Sequence, residues 1–145
     1  MCVTGGGPIS KETQNFISMA VCILINGYGL TETTSMTALC DPIEWTLDAI
    51  GPVPPTVEVK LVDYAEAGYL AKNNQGEVWV RGPTVFKEYY NNPEETKAAI
   101  TEDGWFKTGD VGEWDKNWHL RIIDRTKNLV KTLNGEYIAL EKVLF

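Results

Sequence analysis

The sequence predicts an α+β fold, and three changes of texture along the chain predict it. Residues 1–50 set apolar runs between glycine and proline turns, as helix-and-strand units do. Residues 51–123 alternate apolar and polar side chains in short runs broken by turn residues, the pattern of antiparallel strands, with one helix among them. Residues 128–140 place an Asn-Gly step between two apolar runs, a strong hairpin signal.

Each element has a local reason. In "GGGPIS" (5–10) the glycines turn the chain and Ser10 can N-cap a helix over 11–20. "VCILI" (21–25) reads as a buried strand. The longest apolar run, "FISMAVCILI" (16–25), is about half the ~20 residues of a membrane helix and follows no basic segment, so it reads as a buried helix end entering a core strand. "TETTSMTAL" (31–39) is a short helix candidate with Thr31 as N-cap. "DPIEWTLDAIGPVPP" (41–55) is a proline-rich connector in which a boundary falls. In "TVEVKLVD" (56–63) Val57, Val59 and Leu61 share one face, and "GEVWVRG" (76–82) alternates again. "NNPEETKAAI" (91–100) is a helix with Asn92 as N-cap, Pro93 first and acids in the first turn. "GWFKTGD" (104–110), "VGEWD" (111–115) and "HLRIID" (119–124) read as short antiparallel strands with a turn at "DKN". Trp105, Trp114 and Trp118 read as core or hairpin packing.

Composition narrows the function. The 145 residues hold 13 Lys plus Arg against 20 Asp plus Glu, a net charge of -7, which disfavours electrostatic binding to nucleic acid or an anionic bilayer. Cys2, Cys22 and Cys40 are widely spaced and His119 is the lone histidine, so neither a disulfide framework nor a zinc site is expected; reduced, mostly buried thiols are. Residues 1–31 carry only Lys11 and Glu12 as charged side chains, and "EYIALEKVLF" ends on what looks like a first helical turn. Both suggest a segment of a longer protein, with apolar surface exposed around 16–25.

Four stretches could carry chemistry. In "NGYGLTETT" (26–34) an aromatic ring lies between two glycines, followed by a hydroxyl and a carboxylate. The ring can stack on a base while Thr31 and Glu32 handle phosphate and metal; a loop entering a helix is the plainer reading. Gly5, Gly6 and Gly7 allow close backbone approach to a flat ligand, or simply make a strand-to-helix turn. Asp110 offers two acceptor oxygens to a ribose, or is a turn aspartate. Arg125, Lys127, Lys131 and Lys142 stand out in an acidic chain and suit phosphate and ribose oxygens, or decorate a solvated hairpin. No GxxxxGK[ST] loop is present.

The order of these stretches, a glycine turn, "GYGLTETT", "GWFKTGD" and "DRTKNLVKTLNGEYIA", resembles the adenylate-forming (AMP-binding) superfamily, which includes acyl-CoA synthetases, peptide-synthetase adenylation domains and beetle luciferases. "AKNNQGEVWVRG" and "NLVKTLNGEYIALEK" look most like eukaryotic, above all fungal, long-chain fatty acyl-CoA synthetases. The resemblance covers residues 4–143. It implies part of that fold: the end of a large αβ N-terminal domain (1–50), a β-rich, barrel-like subdomain (51–123), a hinge (124–127) and the first hairpin of a small C-terminal lobe (128–145).

It also implies roles. Tyr28 would stack on adenine, with Asn26, Gly27 and Gly29 lining base and ribose and Gly5, Gly6 and Gly7 beside adenine and the acyl carbonyl. Thr31 would bond phosphate, Glu32 would hold Mg2+, Asp110 would take the ribose, and Arg125 would contact ribose and phosphate. Lys127 would stand at the hinge and Lys131 on the lobe surface that faces the site in one pose. Asn26 stands where many relatives have Gln, and Leu140 where many have Pro. The implied reaction joins a long-chain fatty acid to ATP, giving acyl-AMP and pyrophosphate, and then to coenzyme A. The family's phosphate loop would lie before residue 1 and its adenylation lysine after residue 145, so the chain alone is expected to be inactive. The implied location is the cytoplasmic side, with peripheral association to endoplasmic reticulum, lipid droplet or peroxisome. Two other readings stand beside this one: a non-catalytic nucleotide-binding or interaction module, and an adenylating enzyme for another carboxylic acid.

Overall fold

The computed structural model describes residues 1–43, 45–47, 49–131 and 137–139. The expected hairpin turn at Asn134-Gly135, with Leu140 and Lys142, lies outside them.

The chain opens as a β-α-β unit. Strand β1 (Cys2–Gly5) runs parallel to β2 (Leu24–Tyr28), and helix α1 (Lys11–Ala20) connects them. Ser10 caps α1 as predicted, its hydroxyl accepting the Thr13 N–H at 3.2 Å. The predicted strand at 21–25 begins three residues late, because residues 21–23 turn out of the helix. Val21 N–H still donates to Ile17 O, and Leu24 N–H donates to the Ser18 hydroxyl at 3.1 Å. Leu24 and Ile25 are then buried, but Phe16, Met19 and Val21 are exposed, so the expected burial of 16–25 holds only at its end. The apolar surface expected there is present. No helix among the described residues is long and apolar enough to cross a membrane.

The predicted helix at 31–39 is absent. Its place is taken by a single 3-10 turn over Thr31–Thr33, a reversal, and the two-residue strand β3 (Ala38–Leu39) antiparallel to β2. Thr31 is accordingly not the N-cap; Leu30 is. The reason is chemical: the Thr33 hydroxyl accepts the Leu30 N–H at 2.9 Å and receives the buried Thr37 hydroxyl at 3.0 Å. These local bonds compete with a helical ladder. Thr34 and Ser35 take φ of 50° and 58°, which ends any helix.

Strands β4 (Glu58–Val62), β5 (Gln75–Arg81), β6 (Phe106–Trp114) and β7 (Leu120–Arg125) form an antiparallel sheet in that order. The two short strands expected at 104–110 and 111–115 are one continuous strand, β6. Register shifts near Gly112 and φ of 70° at Gly109 absorb the irregularity that the glycines suggested was a break. A two-stranded ladder, β8 (Leu129–Lys131) with β9 (Tyr137–Ala139), follows. Helix α2 (Pro93–Ala99) starts as read, with Asn92 accepting the Glu95 N–H at 3.2 Å and Pro93 in the first turn. Asn92→Ala is expected to cost about 1 kcal/mol, read as a lower urea midpoint at unchanged m-value.

The core joins the two sheets. Ala38 of β3 packs with Val57, Val78, Val80 and Leu120, and Tyr28 leans on the same cluster. The connector is stitched in by backbone: Ile50 N–H donates to Leu120 O at 2.8 Å and Leu120 N–H to Gly51 O at 2.9 Å. Apolar burial at about 25 cal/mol per Å² therefore holds the glycine-rich end of β2 against β5 and the start of β7. Of the three thiols only Cys40 is buried; Cys2 is exposed, and its sulfur lies 3.2 Å from that of Cys22. The expectation of mostly buried thiols is thus corrected: Cys2 N–H donates to Ile23 O at 2.9 Å as β1 pairs with β2, which brings its exposed sulfur beside that of the neighbouring Cys22.

Candidate nucleotide-binding site

A cleft of about 890 Å³ opens between the ends of β1 and β2 and the β6–β7 ladder. Gly6, Gly7, Asn26, Gly27, Tyr28, Gly29, Asp110, Arg125 and Lys127 all line it. Nine residues chosen from four separate stretches of sequence therefore meet in one place. Gly5 stands at the strand end, where a Cβ would come 2.7 Å from Gly27 O, so the two strands approach more closely than side chains allow.

Tyr28 is not on a turn. It is the last residue of β2, paired with Ala38. Its hydroxyl donates to Asp110 Oδ2 at 2.7 Å, crossing from the first sheet to the second. Asp110 is not a turn residue either. It lies in the middle of β6, 3 % exposed, opposite Arg125 of β7, whose Nε is 3.4 Å from Oδ1. The Thr108 hydroxyl accepts the Asp110 N–H at 3.0 Å and fixes the local kink.

This arrangement sets the charge states. Burial pushes the Asp110 carboxyl above the usual carboxylate range, against the opposing pull of the Tyr28 hydrogen bond and the Arg125 charge. Burial, then the Asp110 charge, holds the Tyr28 phenol well above its ordinary value, so it remains a donor. Arg125 is half exposed and its ion pair with Asp110 is screened on that side. The result is a shielded carboxylate with a phenol on one oxygen and a half-exposed guanidinium on the other. A pair of vicinal hydroxyls can take the guanidinium's place.

Thr31 and Glu32 lie outside the cleft lining. Glu32 Oε1 accepts the Tyr89 hydroxyl at 2.8 Å. Among the described residues no group of three His, Cys, Asp or Glu could hold a metal ion. A divalent cation at Glu32 would therefore find fewer than three such side chains among the described residues and would take its other oxygens from phosphate and water. That donor set suits Mg2+, which commonly binds through one or two carboxylates plus substrate phosphates. The Lys131 side chain lies outside the described residues.

Sequence reasoning missed some lining residues. Asp124, 1 % exposed, accepts the Arg125 N–H at 2.7 Å and the Asn128 side-chain amide at 3.2 Å, which shapes the bend after β7. Its signal was the carboxylate adjoining Arg125 in "DRTKN". Glu113 and Arg121, paired at 3.2 Å, close the far end of the cleft, and nothing local in the sequence distinguishes them from surface charges.

Residues 1–90 match the model of the AMP-binding enzyme family. The chain belongs to that family. Long-chain-fatty-acid–CoA ligase 1 of Saccharomyces cerevisiae is 59% identical over 141 residues, covering 97% of this chain and 20% of the relative. The human protein of the same description is 43% identical over 144 residues, covering 99% of this chain and 21% of the relative. The chain thus spans about a fifth of the length of these curated relatives. The crystal structure of ATP-bound MatB from Rhodopseudomonas palustris superposes with a TM-score of 0.83 at 31% identity, covering 97% of this chain and 28% of that one. The α+β arrangement of this AMP-binding family member is accordingly part of the adenylate-forming enzyme fold.

Proposed function

We propose that this chain supplies the adenine and ribose wall of an AMP-forming ligase that activates a long-chain fatty acid. The observation that carries the reading is the Tyr28–Asp110–Arg125 chain of polar contacts lining the cleft, on a fold shared with ATP-bound MatB. The choice of fatty acid is supported by the names of the relatives that match at 59% and 43% identity.

Each residue then has a task. The Tyr28 ring stacks on adenine, and Gly27 and Gly29 let the base approach the backbone beside Asn26, Gly6 and Gly7. Asp110 accepts from the ribose hydroxyls while Arg125 swings to ribose and phosphate. Thr31 donates to phosphate, and Glu32 is the carboxylate that would hold Mg2+, which when bound neutralises phosphate charge. Residues 124–127 act as the hinge, with Lys127 at its end and Lys131 carried on the far side. In the reaction, a fatty carboxylate oxygen attacks the α-phosphorus, the bond to pyrophosphate breaks, and acyl-AMP forms. The coenzyme A thiol then attacks the acyl carbonyl and AMP leaves with the bonding pair. The part of this chain in that chemistry is alignment and charge placement. Peripheral association of the longer protein with the cytoplasmic face of endoplasmic reticulum, lipid droplet or peroxisome belongs to the same proposal.

The test is adenosine and AMP binding to the purified chain by calorimetry across pH. Binding to Asp110 as an acceptor requires its ionised form, so affinity for adenosine is expected to fall about tenfold per pH unit below the Asp110 pKa. Because that pKa is raised, the fall begins above the pH at which an ordinary aspartate protonates. Stability has the opposite sign in the same window. The folded state binds more protons there than the unfolded state, so the Asp110 contribution to stability decreases as pH rises through it. Adenosine affinity that stays flat down to the ordinary aspartate range, or absence of AMP binding by folded chain, would overturn the ribose role.

A further inference from the structure

Glu32 sits on the single turn after β2, and it is gripped from a different part of the fold at two points. Phe86 N–H donates to the Glu32 carbonyl at 2.8 Å, and the Tyr89 hydroxyl donates to Oε1 at 2.8 Å. Tyr89 is itself held. Its N–H donates to the Thr96 hydroxyl of α2 at 3.0 Å, and its ring lies 4.6 Å from that of Phe86. Phe86 in turn meets the buried Phe106 edge-on at 5.5 Å. The neighbouring Tyr90 points to solvent, 90% exposed. Of two adjacent tyrosines, then, one is built into the fold with its hydroxyl on a carboxylate that makes no other hydrogen bond or ion pair among the described residues.

A free glutamate side chain samples many rotamers, and a metal ligand works best when its orientation is set in advance by an outer partner. A phenol is a suitable partner because it is neutral. Lysine or arginine in its place would compete with the cation for the carboxylate charge. Among the described residues, Oε2 of Glu32 receives no hydrogen bond.

We propose that Tyr89 is a positioning residue for Glu32: it pins Oε1 and leaves Oε2 for a divalent cation carried by a nucleoside triphosphate. The inference rests on the nucleotide-binding reading above. It also gives α2, none of whose residues lines the cleft, a function: through Thr96 it sets the height of Tyr89.

Tyr89→Phe removes one O–H and keeps the ring stack, so it separates positioning from packing. Wild-type and variant chains are titrated with AMP alone, with ATP alone, and with Mn2+ plus ATP, following heat and the loss of the free Mn2+ EPR signal. The expected result is unchanged AMP affinity with a loss of about 10- to 100-fold in the affinity for Mn2+ in the presence of ATP. Glu32→Gln should show the same loss. Phe86→Leu, which disturbs the ring stack without removing the hydroxyl, should keep most of the Mn2+ affinity even where it lowers the unfolding midpoint. Equal Mn2+ affinity in wild type and Tyr89→Phe overturns the proposal. AMP binding by wild type with no gain from Mn2+ overturns it too, while the nucleotide site survives. No AMP binding by folded wild type overturns both the site and the inference.

Discussion

Asp110→Ala is expected to lower AMP affinity by about 10- to 150-fold, the equivalent of about 1.5–3 kcal/mol for hydrogen bonds to a charged acceptor. The same change removes the acceptor of the Tyr28 hydroxyl, now bonded at 2.7 Å, and leaves Arg125 without its Asp110 partner. The loss should therefore appear in the unfolding midpoint as well as in the affinity. Asp110→Asn separates the two effects. An amide oxygen still accepts from Tyr28, and the buried charge is gone, so the fold should be kept while most of the ribose affinity is lost. Calorimetry with AMP and urea unfolding of the three proteins measure both. Equal AMP affinity in all three would remove Asp110 from the site.

Gly29→Ala is expected to destabilise the chain by about 3 kcal/mol or more, at the top of the usual range for overpacking. A Cβ there would stand 2.3 Å from Ser35 C and 2.6 Å from both Met36 N and Ser35 O. All three are backbone atoms, and they are held there by the reversal at Thr34 and Ser35 and by the buried Thr33–Thr37 hydroxyl pair. No side chain can move aside. Gly7→Ala is the contrast, since its Cβ meets nothing within 4 Å. Its effect on stability should stay within about 0.5 kcal/mol. Urea titration with unchanged m-value would establish the difference. Similar midpoints for the two variants would mean that the turn over residues 31–35 yields more readily than its hydrogen bonds imply.

These two glycines show where the sequence was uninformative. Both stand in glycine-rich stretches of the same appearance, and no local signal separates Gly7 in "GGGPIS" from Gly29 in "NGYGLTETT". The cap of α2, by contrast, was fully legible, because Asn92 and Pro93 act within one turn on groups three residues away. The alternation of β5 was legible for a similar reason: its period is a property of the strand, and Val78 and Val80 are buried as the pattern requires. The helix read over 31–39 failed because its threonines bond locally, a competition that residue type alone does not resolve. The split of β6 failed because Gly109 and Gly112 look like turns in one dimension; in the sheet they are irregularities that the neighbouring strands hold in line.

By itself, then, the sequence determined most of the elements, the glycine-rich and charged stretches that meet at the cleft, and membership in a family recognisable from the order of its motifs. Those depend on spacing within a turn or a strand. Tertiary structure alone decided that Tyr28 and Asp110, 82 positions apart, share a hydrogen bond, that Asp110 is buried mid-strand, and that Tyr89 reaches Glu32 across 57 positions. Such contacts are set by the apolar packing of Ala38 against Val57, Val78, Val80 and Leu120, which carries no polar pattern of its own. Burial brings the sheets together, and the polar groups at their edges meet as a consequence.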